Sequence, residues 1–214
     1  MSPSPLNGIK VLEFTQIIAG PLGCQFLADL GAEVIKVEAP DGDLTRGSGP
    51  AFNQGMAASF LHLNRNKRAI ALNLKTDSGA EAFRVLLRDT DLFVHNMRPE
   101  PLERLGFSYE RVREINPNII YCNIWGFGRE GRYAGQAAYD DVIQGASGFV
   151  ALEGYGGKEA RYVPSLIADK TTGLFAAYAM AAALYHKLAT GEGQEVEVPM
   201  FESMVSFIFP EHLC

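Results

Sequence analysis

The chain has 214 residues, with 25 acidic and 19 basic side chains, a formal net charge of −6 and a pI near 5.3. This length is sufficient for one large domain or two small ones with a substantial core. Hydrophobic residues make up 47% of the chain and charged residues 21%, as in ordinary soluble globular proteins. The acidic balance argues against general affinity for nucleic acid or anionic membranes, because such affinity requires a basic surplus.

Strand and helix patterns alternate from the start of the chain. A strand over residues 9–14 leads to a helix over 21–30, which Gly31 ends, and a second strand covers 33–38. This order, with its compact connection, predicts parallel strands and a right-handed crossover. A polar loop that contains glycine is expected over residues 39–55.

The alternation continues through the rest of the chain. Asp77 or Ser78 is expected to cap a helix over residues 77–88. Repeated alternation predicts an α/β fold, a Rossmann-like open parallel sheet with helices on both faces. The remaining predicted elements are strands over 68–74, 91–95, 119–125 and 194–198, and helices over 101–105, 109–115, 138–148, 171–188 and 199–209.

The cysteines and the apolar segments bear on the cellular compartment. Cys24, Cys122 and Cys214 are far apart and form no CxxC pair or Cys/His cluster, so neither a disulfide framework nor a metal site is predicted. The apolar segment over residues 173–185 is too short to span a bilayer and is expected to be a buried helix. Residues 1–10 lack the features of a signal peptide. These patterns favour a cytoplasmic protein without membrane association.

The first β-α turn bears on dinucleotide binding. A fingerprint for NAD or FAD would place GxGxxG there, but residues 15–21 (TQIIAGP) contain a single glycine, Gly20. We therefore expect no permanently bound nicotinamide or flavin cofactor. A literal GxGxxG at Gly126, Gly128 and Gly131 follows a predicted strand but opens no long helix, and it is interpreted as an accidental match in an exposed loop.

Asp169 lies where an apolar segment turns into an alanine-rich helix. The commoner role for such a residue is an N-cap carboxylate, which here would accept a hydrogen bond from the N–H of Thr171 or Thr172. A carboxylate at a helix start can also be a covalent nucleophile toward an acyl group. The helix N-terminus would then stabilise negative charge in the transition state.

Basic side chains follow several of the predicted strands. Lys75 follows the strand that ends at Leu74, and Arg98 follows the one that ends near His95. Ligands of open α/β sheets bind beyond the carboxyl ends of the strands, so Lys75 and Arg98 together are candidates for contact with phosphate groups. A solvated loop charge is the commoner role for either one alone.

Seven stretches of the chain form an ordered set of motifs: residues 5–21 (PLNGIKVLEFTQIIAGP), 31–40 (GAEVIKVEAP), 64–75 (NRNKRAIALNLK), 94–106 (VHNMRPEPLERLG), 138–148 (AYDDVIQGASG), 168–169 with Gly173, and 190–202 (TGEGQEVEVPMFE). In order and spacing, this set resembles the class III CoA-transferases, the CaiB/BaiF family. The resemblance covers essentially the whole chain, and the ordered set is much more specific than any one stretch.

The resemblance implies transfer of coenzyme A from an acyl-CoA donor to a carboxylic acid acceptor. Coenzyme A and acyl-CoA are then substrates, and neither a metal nor a nicotinamide is needed. Family members form interlocked homodimers and are about twice as long as this chain. Residues 1–214 would accordingly be the amino-terminal part of the large domain, without the smaller second domain and the returning C-terminal segment.

The family's catalytic aspartate falls on Asp169. Its carboxylate would attack the donor thioester to give a mixed anhydride, and CoA thiolate would then convert the anhydride to an aspartyl-CoA thioester. The acceptor acid would repeat these steps in reverse. The positions that the resemblance assigns to CoA binding are Ile17, Ile18, Leu72, Asn73, Lys75, Asn96, Arg98, Arg104, Tyr139 and Asp140.

Four positions limit what the resemblance implies. Ala39 and Ala137 stand where some members have a basic residue. Racemases of the same fold family carry His-Asp where this chain has Tyr139-Asp140. A tyrosine can act as an acid, so an α-methylacyl-CoA racemase-like enzyme is the alternative activity. A truncated CoA-binding module without activity is the non-enzymatic alternative, because relatives need a distal half.

Overall fold

The computed structural model describes residues 4–155 and 157–211, which form one parallel sheet of six strands. The strands are β1 (Lys10–Phe14), β2 (Glu33–Glu38), β3 (Lys67–Ala71), β4 (Leu92–His95), β5 (Ile120–Trp125) and β6 (Glu195–Pro199). Their spatial order is β3-β2-β1-β4-β5-β6, and every neighbouring pair is parallel. The predicted Rossmann-like open sheet is confirmed.

The helices occupy the connections between the strands. They are α1 (Ala19–Asp29), α2 (Ala58–Leu63), α3 (Asp77–Arg88), α4 (Pro99–Arg104), α5 (Tyr109–Ile115), α6 (Asp140–Ala146), α7 (Phe149–Glu153), α8 (Ile167–Thr190) and α9 (Met200–Ile208). The predictions for α3 and α5 are confirmed at both ends. Single 3-10 turns cover Leu44–Gly47 and Phe209–Glu211.

Helices cover both faces of the sheet, as predicted. Successive strand residues point to opposite faces, so Val11 packs in a core with α1 and α8, whereas Leu12 packs in a core with α3 and α5. In the second core Phe83 of α3 makes an edge-to-face contact with Phe93 of β4, with ring centroids 5.5 Å apart. Burial on both faces explains why the central strands β4 and β5 are almost continuously apolar, whereas the edge strand β3 is mostly exposed.

Two local predictions around α3 are wrong. The helix is capped by Thr76, whose Oγ1 accepts a hydrogen bond from the Gly79 N–H at 3.2 Å, and not by Asp77 or Ser78. β3 ends at Ala71 and not at Leu74, because the chain turns there: the Thr76 N–H donates to the Asn73 carbonyl oxygen at 3.1 Å. The turn therefore takes three residues from the predicted strand.

Cys24 and Cys122 are buried free thiols, and Cys214 lies outside the described residues. Residues 173–185 belong to α8, which packs against the sheet and α1. The long helix is only partly buried, in contrast to the prediction of a buried helix: Leu174, Tyr178 and Tyr185 are more than half exposed. Within residues 4–155 and 157–211, no helix has the length and apolar character required to cross a bilayer.

Candidate active site

A cleft of about 580 Å³ opens where the strand order reverses, between β1 and β4. Connections from these two strands leave in opposite directions, so a crevice forms beyond their carboxyl ends. Ile17 follows β1, Arg98 follows β4, and Trp125 ends β5; all three line the cleft. Asp169 also lines it, on the side of α8.

Asp169 lies in the first turn of α8 and is 9% exposed. The helix begins at Ile167 and not at residue 171, so Asp169 does not have the alternative role of N-cap residue. The Asp169 N–H instead donates to Oδ1 of Asp140 at 2.9 Å. A carboxylate from α6 thus satisfies one of the free N–H groups at this helix start, which leaves the Asp169 side chain free of a capping role.

Asp140 is held in turn by Gln144, one helical turn further along α6. The Gln144 Nε2 donates to Asp140 Oδ2 at 2.6 Å, and its Oε1 accepts from the Val163 N–H at 3.0 Å. Gln144 is fully buried. Through these contacts α6 fixes both the segment before α8 and the orientation of the carboxylate behind Asp169.

The surroundings of Asp169 raise the pKa of its carboxyl group to about 7. Burial makes the largest contribution, and the nearby Asp140 carboxylate adds to it. The Ala19 N–H at the start of α1 opposes both by favouring the ionised form. A carboxyl group in a cleft with such a strongly raised pKa is a candidate for chemistry.

Close packing of α1 against α8 brings Ala19 toward Asp169. A Cβ placed on Gly173 would lie 3.0 Å from the Ala19 carbonyl oxygen and 3.1 Å from Leu22 Cβ, and one on Gly23 would lie 3.2 Å from the Gly173 carbonyl oxygen. Glycine at both positions therefore lets the two helices approach closely.

Replacing Gly173 with alanine should separate α1 from α8. We expect a loss of about 1–3 kcal/mol in the free energy of unfolding, because the added methyl group overpacks the contact. Denaturant unfolding measures this loss. Gly47→Ala is the matched control, since a Cβ at Gly47 meets no atom within 4 Å and should leave the stability almost unchanged. Equal stability of the two variants would contradict the packing argument.

The loop between β1 and α1 has a strained backbone. Ile17 has φ = 71°, a left-handed conformation that a β-branched residue rarely adopts. The side chain of Asn96 joins this loop to the loop after β4: its Oδ1 accepts from the Gln16 N–H at 3.0 Å, and its Nδ2 donates to the Gln16 carbonyl oxygen at 2.8 Å. Strain of this kind persists only where surrounding contacts enforce it.

The structure brings half of the residues singled out from the sequence to one place. Those that line the cleft are Asp169, Ile17, Asn96, Arg98 and Tyr139. Ile18 and Asp140 are buried beside them, and the remaining candidates lie outside the lining of the cleft: Leu72, Asn73 and Lys75 after the edge strand β3, and Arg104 at the end of α4.

Two cations line the cleft and differ in their partners. Arg129 pairs with Glu195 and Glu197, with its Nε 3.1 Å from Glu197 Oε2, and its guanidinium lies over the Trp125 ring. Arg98 forms no ion pair with any acidic residue of the described chain. Arg98 is therefore the cleft cation available to an anionic ligand.

Sequence reasoning missed several lining residues that follow β5 and β6. Phe127 and Arg129 lie in the loop of the literal GxGxxG, and Met200 begins α9. That loop carries no helix, as predicted, but Phe127 is buried in it, so the loop is only partly exposed. Its position after a parallel strand was the signal that could have assigned it to the site.

Comparisons with known proteins identify the family of this chain. The sequence profile described as CoA-transferase family III matches residues 6–213. A succinate–glutarate CoA-transferase of Agrobacterium fabrum is 40% identical in an alignment 205 positions long, which covers 92% of this chain and 51% of that protein. A formyl-CoA:oxalate CoA-transferase of Streptomyces avermitilis is 40% identical over 201 residues, which are 94% of this chain and 49% of that protein.

A solved structure gives the same result at the level of the fold. A CaiB/BaiF family protein from Brucella suis superposes with a TM-score of 0.93 and 40% identity, over 98% of this chain and 57% of that one. The chain spans about half the length of the curated relatives that it matches. With the family profile matched over nearly its whole length, the chain belongs to CoA-transferase family III.

Proposed function

We propose that the protein transfers coenzyme A from an acyl-CoA donor to a carboxylic acid acceptor, with Asp169 as the nucleophile. The observation that carries the proposal is the position of the Asp169 carboxyl group. It is nearly buried, it lines the cleft at the carboxyl ends of the strands, and it lies close to the start of α1. Family membership and the names of the relatives support the same reaction class.

The proposed reaction begins with attack of the Asp169 carboxylate on the thioester carbonyl carbon. The C–S bond breaks, and CoA leaves as thiolate from a mixed anhydride. The thiolate then attacks the aspartyl carbonyl of the anhydride, which releases the donor acid and leaves an aspartyl-CoA thioester. An acceptor carboxylate attacks this thioester, the C–S bond breaks, and CoA thiolate leaves a second mixed anhydride. The thiolate then attacks the acceptor's carbonyl carbon, which forms the new acyl-CoA and releases the Asp169 carboxylate.

The chain's own groups support this sequence of steps. Burial keeps water from the carboxyl group, and the N–H of Ala19 favours its anionic form. The starts of α1 and α8 also place positive helix ends near the site of developing negative charge. Arg98 is positioned to meet an anionic part of the substrate.

Trapping experiments distinguish the proposed activity from its alternatives. The intact protein is incubated with acyl-CoA, treated with hydroxylamine and analysed by mass spectrometry for a modified Asp169 or a bound CoA thioester. Either adduct supports transfer. Exchange of the substrate α-proton with deuterated solvent, without an acceptor acid, would instead indicate a racemase. CoA binding with neither result would indicate a binding module.

Neutralising Arg98 should weaken acyl-CoA binding. We expect Arg98→Gln to raise KM for acyl-CoA about tenfold or more and to lower kcat less, because a charge-assisted hydrogen bond contributes about 1.5–3 kcal/mol. Lys75→Gln should act in the same direction if Lys75 meets a phosphate group. Steady-state kinetics measure both. Arg111→Gln, on the exposed face of α5, is the control; a fall in kcat at constant KM would argue against the anion contact.

The wider assembly is also a proposal. We infer that residues 1–214 supply the amino-terminal part of a large domain, that a smaller domain and a returning segment complete it, and that the protein is a homodimer. The match to about half of each relative supports the first two points. The buried free thiols of Cys24 and Cys122 support a cytoplasmic location.

A further inference from the structure

Four charged side chains, which we call the buried quartet, lie beneath the loop between β1 and α1: Glu13, Lys36, Asp43 and Lys67. We propose that the buried quartet has a positioning role. Its side chains hydrogen-bond to the backbone of residues 15–21 and hold this segment next to the candidate active site. The functional part of this inference rests on the proposed role of Asp169; the structural part does not.

The quartet is a closed set of opposite charges. Lys36 Nζ lies 3.2 Å from Glu13 Oε1 and 3.0 Å from Asp43 Oδ2, and Lys67 Nζ lies 2.8 Å from Glu13 Oε2. All four side chains are at most 1% exposed. Burial alone would raise the pKa of Glu13, but Lys36 and Lys67 outweigh it and hold this pKa below its usual range. Two cations and two anions thus form a neutral buried group.

Three members of the quartet also bond to the backbone of residues 15–21, which comprise the loop after β1 and the first turn of α1. Lys36 Nζ donates to the Thr15 carbonyl oxygen at 2.8 Å, and Lys67 Nζ donates to that of Pro21 at 2.9 Å. Between these points, Asp43 Oδ1 accepts from the Ile17 N–H at 3.4 Å.

The loop between β1 and α1, to which the quartet bonds, has a strained conformation. Ile17 is held at φ = 71° in its middle, where a branched side chain is strained, and the residue lines the cleft. Ala19, two residues later, begins α1 and lines the same cleft as Asp169, and its backbone N–H lowers the pKa of the Asp169 carboxyl group.

Stability alone does not account for such a cluster. Replacing buried ion pairs with apolar residues is often neutral or stabilising, so their presence is weak evidence of a stabilising role. Two of the three backbone contacts fall on the strained loop, at Thr15 and Ile17, and the third falls on Pro21 in the first turn of α1. This concentration points to positioning of Ile17 and Ala19.

The test uses two charge-balanced double variants of the intact protein. Glu13→Gln with Lys67→Met removes one anion, one cation and the hydrogen bond from Lys67 Nζ to the Pro21 carbonyl oxygen. Asp91→Asn with Lys187→Met is the matched control: it removes the ion pair in which Lys187 Nζ lies 2.9 Å from Asp91 Oδ1, next to the amino end of β4.

The first readout is the pKa of the Asp169 carboxyl group, which needs no enzymatic activity. It is followed by ¹³C NMR titration, with the resonance assigned by Asp169→Asn. The charged and titratable groups around this carboxyl are Asp140 from α6 and, in the same cleft, Arg98, Arg129 and Tyr139. Neither double variant changes any of them, so a change in this pKa reports movement of the loop.

We expect the quartet variant to raise the pKa of Asp169 by about one unit, since a backbone N–H contact to the carboxylate is weakened. Transfer should then fall about tenfold at pH values near 6 but less than about twofold near pH 9, with KM nearly constant. The control variant should show neither change, even if it lowers the free energy of unfolding.

A folded quartet variant with the wild-type pKa and pH profile overturns the proposal. If that variant does not fold, Asp43→Ala carries the same test. It removes the contact to Ile17, the charge beside Lys36 and the cap that Asp43 Oδ1 provides to Thr45 at the start of the 3-10 turn. If the wild-type protein transfers no CoA, or if Asp169→Asn keeps the activity, the proposed function fails while the NMR titration still decides the role of the quartet.

Discussion

Replacing Asp169 with asparagine should lower CoA transfer by about 10⁴-fold or more while leaving acyl-CoA binding within roughly threefold. The amide has nearly the shape of the carboxylate but cannot form an anhydride with an acyl group. Steady-state assays and equilibrium binding measure the two effects. Mass spectrometry should no longer find an adduct on the protein.

A neighbouring carboxylate provides the control for this substitution. Asp141 lies in the first turn of α6, beside Asp140, and is exposed outside the cleft. Asp141→Asn removes the same charge and should keep both transfer and adduct formation. Retained turnover in the Asp169 variant would refute the assignment of the nucleophile.

The raised pKa gives the same residue a pH signature. Transfer in the wild-type protein should decline as the pH falls through about 7, because the protonated carboxyl group is not a nucleophile. The folded protein holds this proton more tightly than the unfolded chain does, so the group's contribution to stability is full below 3.8 and is lost as the pH rises through about 7. Asp169→Asn should therefore be more stable than wild type at pH 8. Denaturant unfolding measures the difference, in which each tenfold gain in proton affinity on folding corresponds to about 1.4 kcal/mol.

Replacing Lys36 with methionine should destabilise the protein by about 3–5 kcal/mol near neutral pH, measured by denaturant unfolding. The substitution leaves the carboxylates of Glu13 and Asp43 buried with one cation fewer. Their pKa values, held low by lysine in the wild type, should rise. The variant should then recover part of its relative stability at acid pH, where protonated carboxyl groups need no partner.

An exposed pair calibrates this prediction. Arg111 Nη1 lies 3.1 Å from Glu114 Oε2, and both side chains are about two-thirds exposed. Arg111→Met should change the free energy of unfolding by less than about 1 kcal/mol, because water already screens such charges. If Lys36→Met and Arg111→Met lowered the free energy of unfolding by similar amounts, burial would not determine how much the quartet contributes to stability.

The sheet was predictable because its signals are local. Apolar runs between turn residues identify the strands, and the limits of α3 and α5 follow from amphipathic spacing and from the Asn116-Pro117 stop. The start of α8 was not predictable in this way. Its first turn is stabilised by a hydrogen bond to Asp140, 29 residues earlier in the chain. The residues around the helix start give no indication of such a distant partner.

The candidate site was predictable to the extent that it follows strand ends. Ile17, Asn96 and Arg98 meet in the cleft because they follow neighbouring parallel strands. The ion-pair partners of Lys36 could not be predicted from the sequence. They come from other segments of the chain, and only the tertiary fold brings them next to this lysine. Lys75 lies after the edge strand β3, outside the lining of the cleft.

The paired hydrogen bonds between Asn96 and Gln16 also have a consequence for folding. They join residues 80 positions apart in the chain, in the loops after two strands that become neighbours only when β4 docks beside β1. Contacts of such long range form after the local helices and the first β-α-β unit, because closing a long stretch of chain costs conformational entropy. We therefore expect the cleft to be among the last parts of the molecule to take shape, so that a nascent chain acquires its site only after most of its core has formed.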